Sequence, residues 1–169
     1  MNRRISALLT LVVIWQGSRV MGLAATSILN PMATPLTITF SANDPDSPSV
    51  AGSSTATITF RATGGSNART WNVQVQATTT NFGSCPSTVA ANRVQVTCVS
   101  STVSGGGGTG SCSGPFNLST ALTTVASGTE GNGARDYTVN VNFTFLDSWG
   151  FIATTAPCSV SLQYLITAN

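Results

Sequence analysis

The sequence predicts an all-β fold: a single antiparallel β-sandwich of about seven or eight short strands, held by two disulfides. Three observations lead there. Several short stretches alternate apolar and polar residues without a slip, the period of a strand whose successive side chains point to opposite faces. Clusters of Gly, Pro, Asn and Asp separate these stretches, and such residues make turns. Only 7% of the 169 residues are charged, against about 25% in an ordinary soluble protein, and no stretch is rich in the Glu, Lys and Ala that build helices. Thr is abundant instead, and its β-branched side chain suits a pleated surface.

Residues 1–24 read as a secretory signal peptide. Arg3 and Arg4 supply the positive start, Ile5–Trp15 is apolar, and Gly22-Leu23-Ala24 places small residues where a signal peptidase reads. Arg19 interrupts the apolar run well short of the ~20 residues that span a bilayer, so no stable membrane insertion is expected after cleavage. Residues 25–34 read as an N-terminal tail, and residues 35–169 as the sandwich domain.

The first strand carries Leu36, Ile38, Phe40 and Ala42 on one face and Thr37, Thr39 and Ser41 on the other. Asn43-Asp44-Pro45-Asp46 turns the chain. Ala56, Ile58, Phe60 and Ala62 mark the second strand, Trp71, Val73, Val75 and Ala77 the third, and Val94, Val96 and Cys98 the fourth. Gly105–Gly108 reads as a flexible hairpin tip, because a phosphate cradle needs a following helix and usually a Lys. Phe116–Val125 is a weaker strand whose apolar parity shifts between Leu122 and Val125, the mark of a bulge. Ser127–Ala134 is a Gly-rich crossing into Asp136–Phe145. That last stretch is the cleanest in the chain, with Tyr137, Val139, Val141, Phe143 and Phe145 on one face, and is expected at the centre of a sheet. Cys158, Val160, Leu162, Tyr164 and Ile166 form the final strand.

Cys85, Cys98, Cys112 and Cys158 all follow the leader, so an oxidising compartment would pair them as two disulfides. Four cysteines allow three connectivities. The expected pairing is Cys85 with Cys98 and Cys112 with Cys158. Zinc would need a CxxC pair or His, and the chain has neither.

Composition also excludes chemistry. No His is present, so neither a Ser-His-Asp nor a Cys-His arrangement can be built. No Lys is present, so Schiff-base chemistry and Lys–Asn crosslinks are excluded too. Of the five acids, Asp44 and Asp46 share a turn, Glu130 and Asp136 flank a corner and Asp147 opens a loop. They could supply a carboxylate pair, but a glycosidase holds its two carboxyls about 5–9.5 Å apart across a cleft, and no cleft is expected in so small a fold. Asp44-Pro45-Asp46 lacks the ligand loop of a Ca²⁺ site. No enzyme, metal or cofactor is expected. Once the leader's three Arg are gone, four Arg face five acids for a net charge of −1, which leaves no basic patch for nucleic acid.

The Gly-rich corner followed by Tyr137 resembles the tyrosine corner of immunoglobulin-like sandwiches. The leader, the Thr-rich alternating strands, the paired cysteines and the apolar segment Leu36–Ala42 together resemble exported bacterial surface proteins of the pilin and spore-coat-U-like kind. The resemblance implies a non-catalytic structural or adhesive protein, secreted or held at the cell surface after passage through the periplasm. It also implies self-assembly, or assembly with other surface proteins, by strand donation. Leu36, Ile38, Phe40 and Ala42, or the tail around Ile28 and Leu29, would be the donor. An alternative is a carbohydrate-binding module that stacks a glycan on the loop aromatics Trp149 and Phe151.

Overall fold

In a computed structural model the chain is described at residues 20–22, 28–41, 50–51, 55–64, 69–146, 151 and 157–168. Among these lie twelve strands: β1 Val20–Gly22, β2 Ile28–Thr34, β3 Thr37–Phe40, β4 Val50–Ala51, β5 Ala56–Gly64, β6 Thr70–Ala77, β7 Val94–Val103, β8 Thr109–Cys112, β9 Phe116–Asn117, β10 Thr123–Thr129, β11 Gly133–Phe145 and β12 Cys158–Ala168. They form two six-stranded sheets, a β-sandwich as expected. One sheet runs β1-β12-β6-β10-β8, with β3 also on β12. The other runs β2-β5-β11-β7-β9, with β4 also on β11. The count exceeds the expected seven or eight because several edge positions are filled by fragments of two to four residues rather than by one long strand.

The 13-residue β11 is the longest strand and lies between β5 and β7, at the centre of its sheet. Its burial alternates as the sequence does, with Tyr137, Val139, Val141, Phe143 and Phe145 all inside. Facing it from the other sheet are Trp71, Val73 and Val75 of β6 and Leu162, Tyr164 and Ile166 of β12, each at most 2% exposed. Burying each such side chain contributes roughly 1.5–3 kcal/mol. Aromatic rings close both ends of β11. Phe60, Trp71 and Tyr137 pack with centroids 5.1–5.2 Å apart at its start, and Phe40, Phe82 and Phe145 at 5.5–5.9 Å at its finish. The outward faces carry cross-strand ladders of amides and hydroxyls. Thr57 donates to the Asn140 side chain at 3.0 Å, Asn140 donates to the Ser100 hydroxyl at 2.9 Å, and Gln76 donates to Gln163 at 2.7 Å.

The bulge expected near Val125 is present. The β10–β6 register shifts between Thr124 and Ala126, which lets Val125 and Ala126 both turn inward. The Gly-rich crossing is shorter than expected, since β10 runs to Thr129 and β11 starts at Gly133. At this corner the Tyr137 hydroxyl donates to the Thr129 carbonyl at 3.1 Å and accepts the Gly131 N–H at 3.2 Å, the local bonding of a tyrosine corner. The four-glycine run corrects a second expectation. It is not the tip of a hairpin within one sheet but a crossover between sheets, from β7 to β8. Gly105 and Gly107 have φ of 81° and 95°, and a Cβ on Gly108 would fall on the Tyr137 hydroxyl. The run therefore lets backbone lie directly against the tyrosine corner.

Residues 28–34 are not a tail. They form β2, an edge strand on β5 that Pro31 hides from a reading of local period. Pro cannot donate to a ladder and is tolerated at an edge or a bulge, and here the register shifts between Leu29 and Met32, with Asn30 at φ 51°.

Burial pushes the phenols of Tyr137 and Tyr164 above their ordinary pKa, with the Gly131 N–H opposing this at Tyr137. A raised folded-state pKa means that the unfolded chain ionises first. The unfolded state then binds fewer protons at high pH, and stability present below about pH 10 is lost above it. Chemical denaturation midpoints should thus fall steeply in alkali, and a Tyr137→Phe/Tyr164→Phe double variant should flatten that limb.

Candidate functional site

The N-terminal segment and the last strand together form the most unusual region of the molecule. The segment changes sheets within a few residues. β2 lies on the edge of one sheet, the chain passes the cis Thr34–Pro35 bond, and β3 lies in the other sheet against β12, Ile38 opposite Val160 and Phe40 opposite Cys158. Leu162 N–H donates to the Leu36 carbonyl at 2.7 Å, and the Tyr164 hydroxyl donates to the Pro35 carbonyl at 3.3 Å, so β12 holds the switch point from the side. Ile28, Ala33, Ile38 and Phe40 are buried, so both halves of the segment contribute to the core. Leu29 and Met32 of β2 are exposed, at 46% and 60%.

Leu36, Ile38 and Phe40 are therefore already strand-paired or packed within their own chain, whereas Ala42 lies outside the described residues. The outer side of β12 is shared. β3 covers Cys158–Ser161, and beyond it β1 covers Tyr164–Ile166, running parallel to β12. Every other strand pair among the described residues is antiparallel. Nothing in the sequence marks β1 as a strand, because Val20 and Met21 sit within the stretch that reads as a leader.

All four cysteines are paired, but in a connectivity that corrects the expected one. Cys85 bonds Cys158 and Cys98 bonds Cys112. The first ties the loop after β6 to the start of β12. The second joins the β7 edge of one sheet to the β8 edge of the other. Cys98 and Cys112 are only 14 residues apart, and the glycine crossover between them brings their Cα atoms to 5.4 Å.

Of the loop aromatics, Trp149 lies outside the described residues. Phe151 is half-buried, its ring 5.7 Å from that of Phe145, with the Arg93 guanidinium 5.5 Å above it. It packs on the end of the core rather than standing free. A shallow depression bounded by Thr80, Asn81, Asn92 and Thr120 offers amides and hydroxyls and no titratable group.

Among the acids, Asp44, Asp46 and Asp147 lie outside the described residues. Asp136 pairs with Arg61 at 3.1 Å on the solvent face. Glu130 is fully buried, and neither of its carboxylate oxygens has a hydrogen-bond partner; the Trp71 indole N–H is likewise buried and unpaired. Taking a carboxylate out of water without a partner is costly. Glu130→Met, which keeps the volume and removes the polar group, is expected to stabilise the domain by about 1–3 kcal/mol. A urea midpoint that fell instead would show that the carboxyl is bonded in solution.

Among the described residues no three His, Cys, Asp or Glu side chains come together as a metal site, and no helix is long and apolar enough to cross a membrane. No protein-family model, curated protein or solved structure matches this chain.

Proposed function

We propose that this is a non-catalytic structural or adhesive protein of the cell exterior, which links to copies of itself by lending its N-terminal strand segment, residues 25–42, to a neighbour. One observation carries the reading: this segment supplies edge strands to both sheets in turn, β2 to one and β3 to the other, through a single sheet switch at Pro35. Strands at an edge bond along one side only, so a neighbour's copy makes the same backbone and core contacts as the chain's own. Head-to-tail exchange of this kind produces filaments when the rotation between copies does not close a ring. The resemblance to pilin-like surface proteins, the two disulfides and the uncharged Thr/Asn/Gln faces support the same reading.

The test is the mass of the chain from Ala25 onward, by light scattering after gel filtration, with and without residues 25–42. A series of multimers that collapses on deletion, together with recovery of the fold when a 25–42 peptide is added, is the expected result. A clean monomer with unchanged circular dichroism in both forms would rule the reading out.

A further inference from the structure

We infer that the depression bounded by Thr80, Asn81, Asn92 and Thr120 is a binding site for a single ring of a neutral saccharide.

The site is ordered before any ligand arrives. Two connections meet there: the one from β6 to β7, which carries Thr80, Asn81 and Asn92, and the one from β9 to β10, which carries Thr120. Hydrogen bonds hold both in place. The Ala91 N–H donates to the Thr80 carbonyl at 2.8 Å, and the Thr79 hydroxyl donates to the Asn81 carbonyl at 2.8 Å. On the other side the Leu118 N–H donates to the Val94 carbonyl and the Ala77 N–H to the Ser119 carbonyl, each at 2.8 Å. The Ser119 hydroxyl is taken up by Ala121, accepting its N–H at 3.2 Å and donating to its carbonyl at 3.3 Å. Walls fixed in this way lose little freedom on binding.

The side chains on the rim set the class of ligand. Thr80, Asn81, Asn92 and Thr120 are exposed, and among the described residues none of their side chains bonds within the chain. Hydroxyls and amides both donate and accept, as sugar hydroxyls do, so a ring bearing several of them can pair with this rim in either sense. Ala91 and Leu118 are buried beneath it and give an apolar floor for the C–H face of the ring. No charged side chain lines the depression among the described residues, and Arg93, the neighbour of Asn92, stands over the Phe151 ring instead. A charged ligand would therefore lose water without gaining a counter-charge. The space, about 270 Å³, lies just under the ~300–1,000 Å³ of small-molecule sites, which admits one ring at a time. An extended peptide would call for a strand edge, whereas this rim is made of loops. Without an aromatic wall the affinity is expected to be millimolar, and many copies on one surface would sum such contacts. That summing rests on the assembly reading; the site itself belongs to a single chain.

The experiment is saturation-transfer difference NMR on the 169-residue chain with D-glucose, D-galactose, D-mannose and N-acetyl-D-glucosamine in turn. At least one is expected to show saturable transfer, strongest at ring C–H protons. An Asn81→Ala/Asn92→Ala double variant with unchanged circular dichroism should abolish it. Thr120→Ala should weaken binding roughly two- to tenfold, the worth of one neutral hydrogen bond, and decides the matter should the double variant misfold. Glucuronate, a charged analogue, should bind more weakly than glucose. Transfer to none of the four sugars, transfer that survives these substitutions, or a preference for glucuronate would each overturn the site. None of these results depends on the mass of the protein in solution, so the site can fail while strand-linked assembly stands, and the reverse.

Discussion

The Gly128→Ala variant is expected to lose about 3 kcal/mol or more of stability, enough to unfold much of the population of an ordinary domain. Gly128 sits at the middle of three strands, opposite Trp71 of β6 on one side and Gly110 of β8 on the other. A Cβ there would land on the Thr109 carbonyl and on the Trp71 indole. The first is backbone and the second is fully buried against Phe60 and Tyr137, so neither can swing away. Relief would require β8 to leave β10. Gly114→Ala is the control, because a Cβ at that position meets nothing within 4 Å, and its change should stay within about 0.5 kcal/mol. Urea denaturation of both variants checks the contrast. Equal midpoints would mean that the three strands yield more easily than their packing implies.

Removing the Cys85–Cys158 bridge, as Cys85→Ser with Cys158→Ala, should cost about 4 kcal/mol, and removing Cys98–Cys112 by the same substitutions about 3 kcal/mol. The ranking follows from the chain each bridge closes, 73 residues against 14, since the longer loop restricts the unfolded chain more. Position adds to it. Cys158 begins β12, the strand that carries β1, β3 and β6, so an unpinned start loosens the N-terminal segment as well. Urea melts with and without a reducing agent, on the parent and on each variant, measure both terms. A larger loss from the shorter bridge would show that Cys98–Cys112 acts chiefly by clamping the two sheets together.

The strands with a strict period of two are legible in the amino-acid order alone. Phe143 and Val141 in β11, Val73 and Val75 in β6, and Tyr164 and Ile166 in β12 face the core as their spacing says, because a one-residue slip would turn a whole apolar set outward. Even the bulge near Val125 shows as a break in parity. What stays hidden depends on partners far away in the chain. β2 carries Pro31 and an irregular register, so no local period marks it. β1 is two apolar residues and a glycine, with nothing to distinguish them from a leader. Cysteine pairing is a matter of which loops meet in space, and the glycine crossover that brings Cys98 to Cys112 reads in sequence as a simple turn. Glu130 sits at a glycine corner, where an acid normally faces solvent, yet the tyrosine corner folds it inward. The candidate site is half legible: β12 reads plainly as a strand, but β1, which covers part of its outer side, does not.

The amide and hydroxyl ladders on the outer faces carry one more implication. Groups such as Thr57, Asn140, Ser100, Gln76 and Gln163 hold adjacent strands together without a net charge among them. Dissolved ions weaken attraction between charges by screening, and here there is almost nothing to screen. A surface bonded in this way keeps its cohesion whether it is bathed in fresh water or brine.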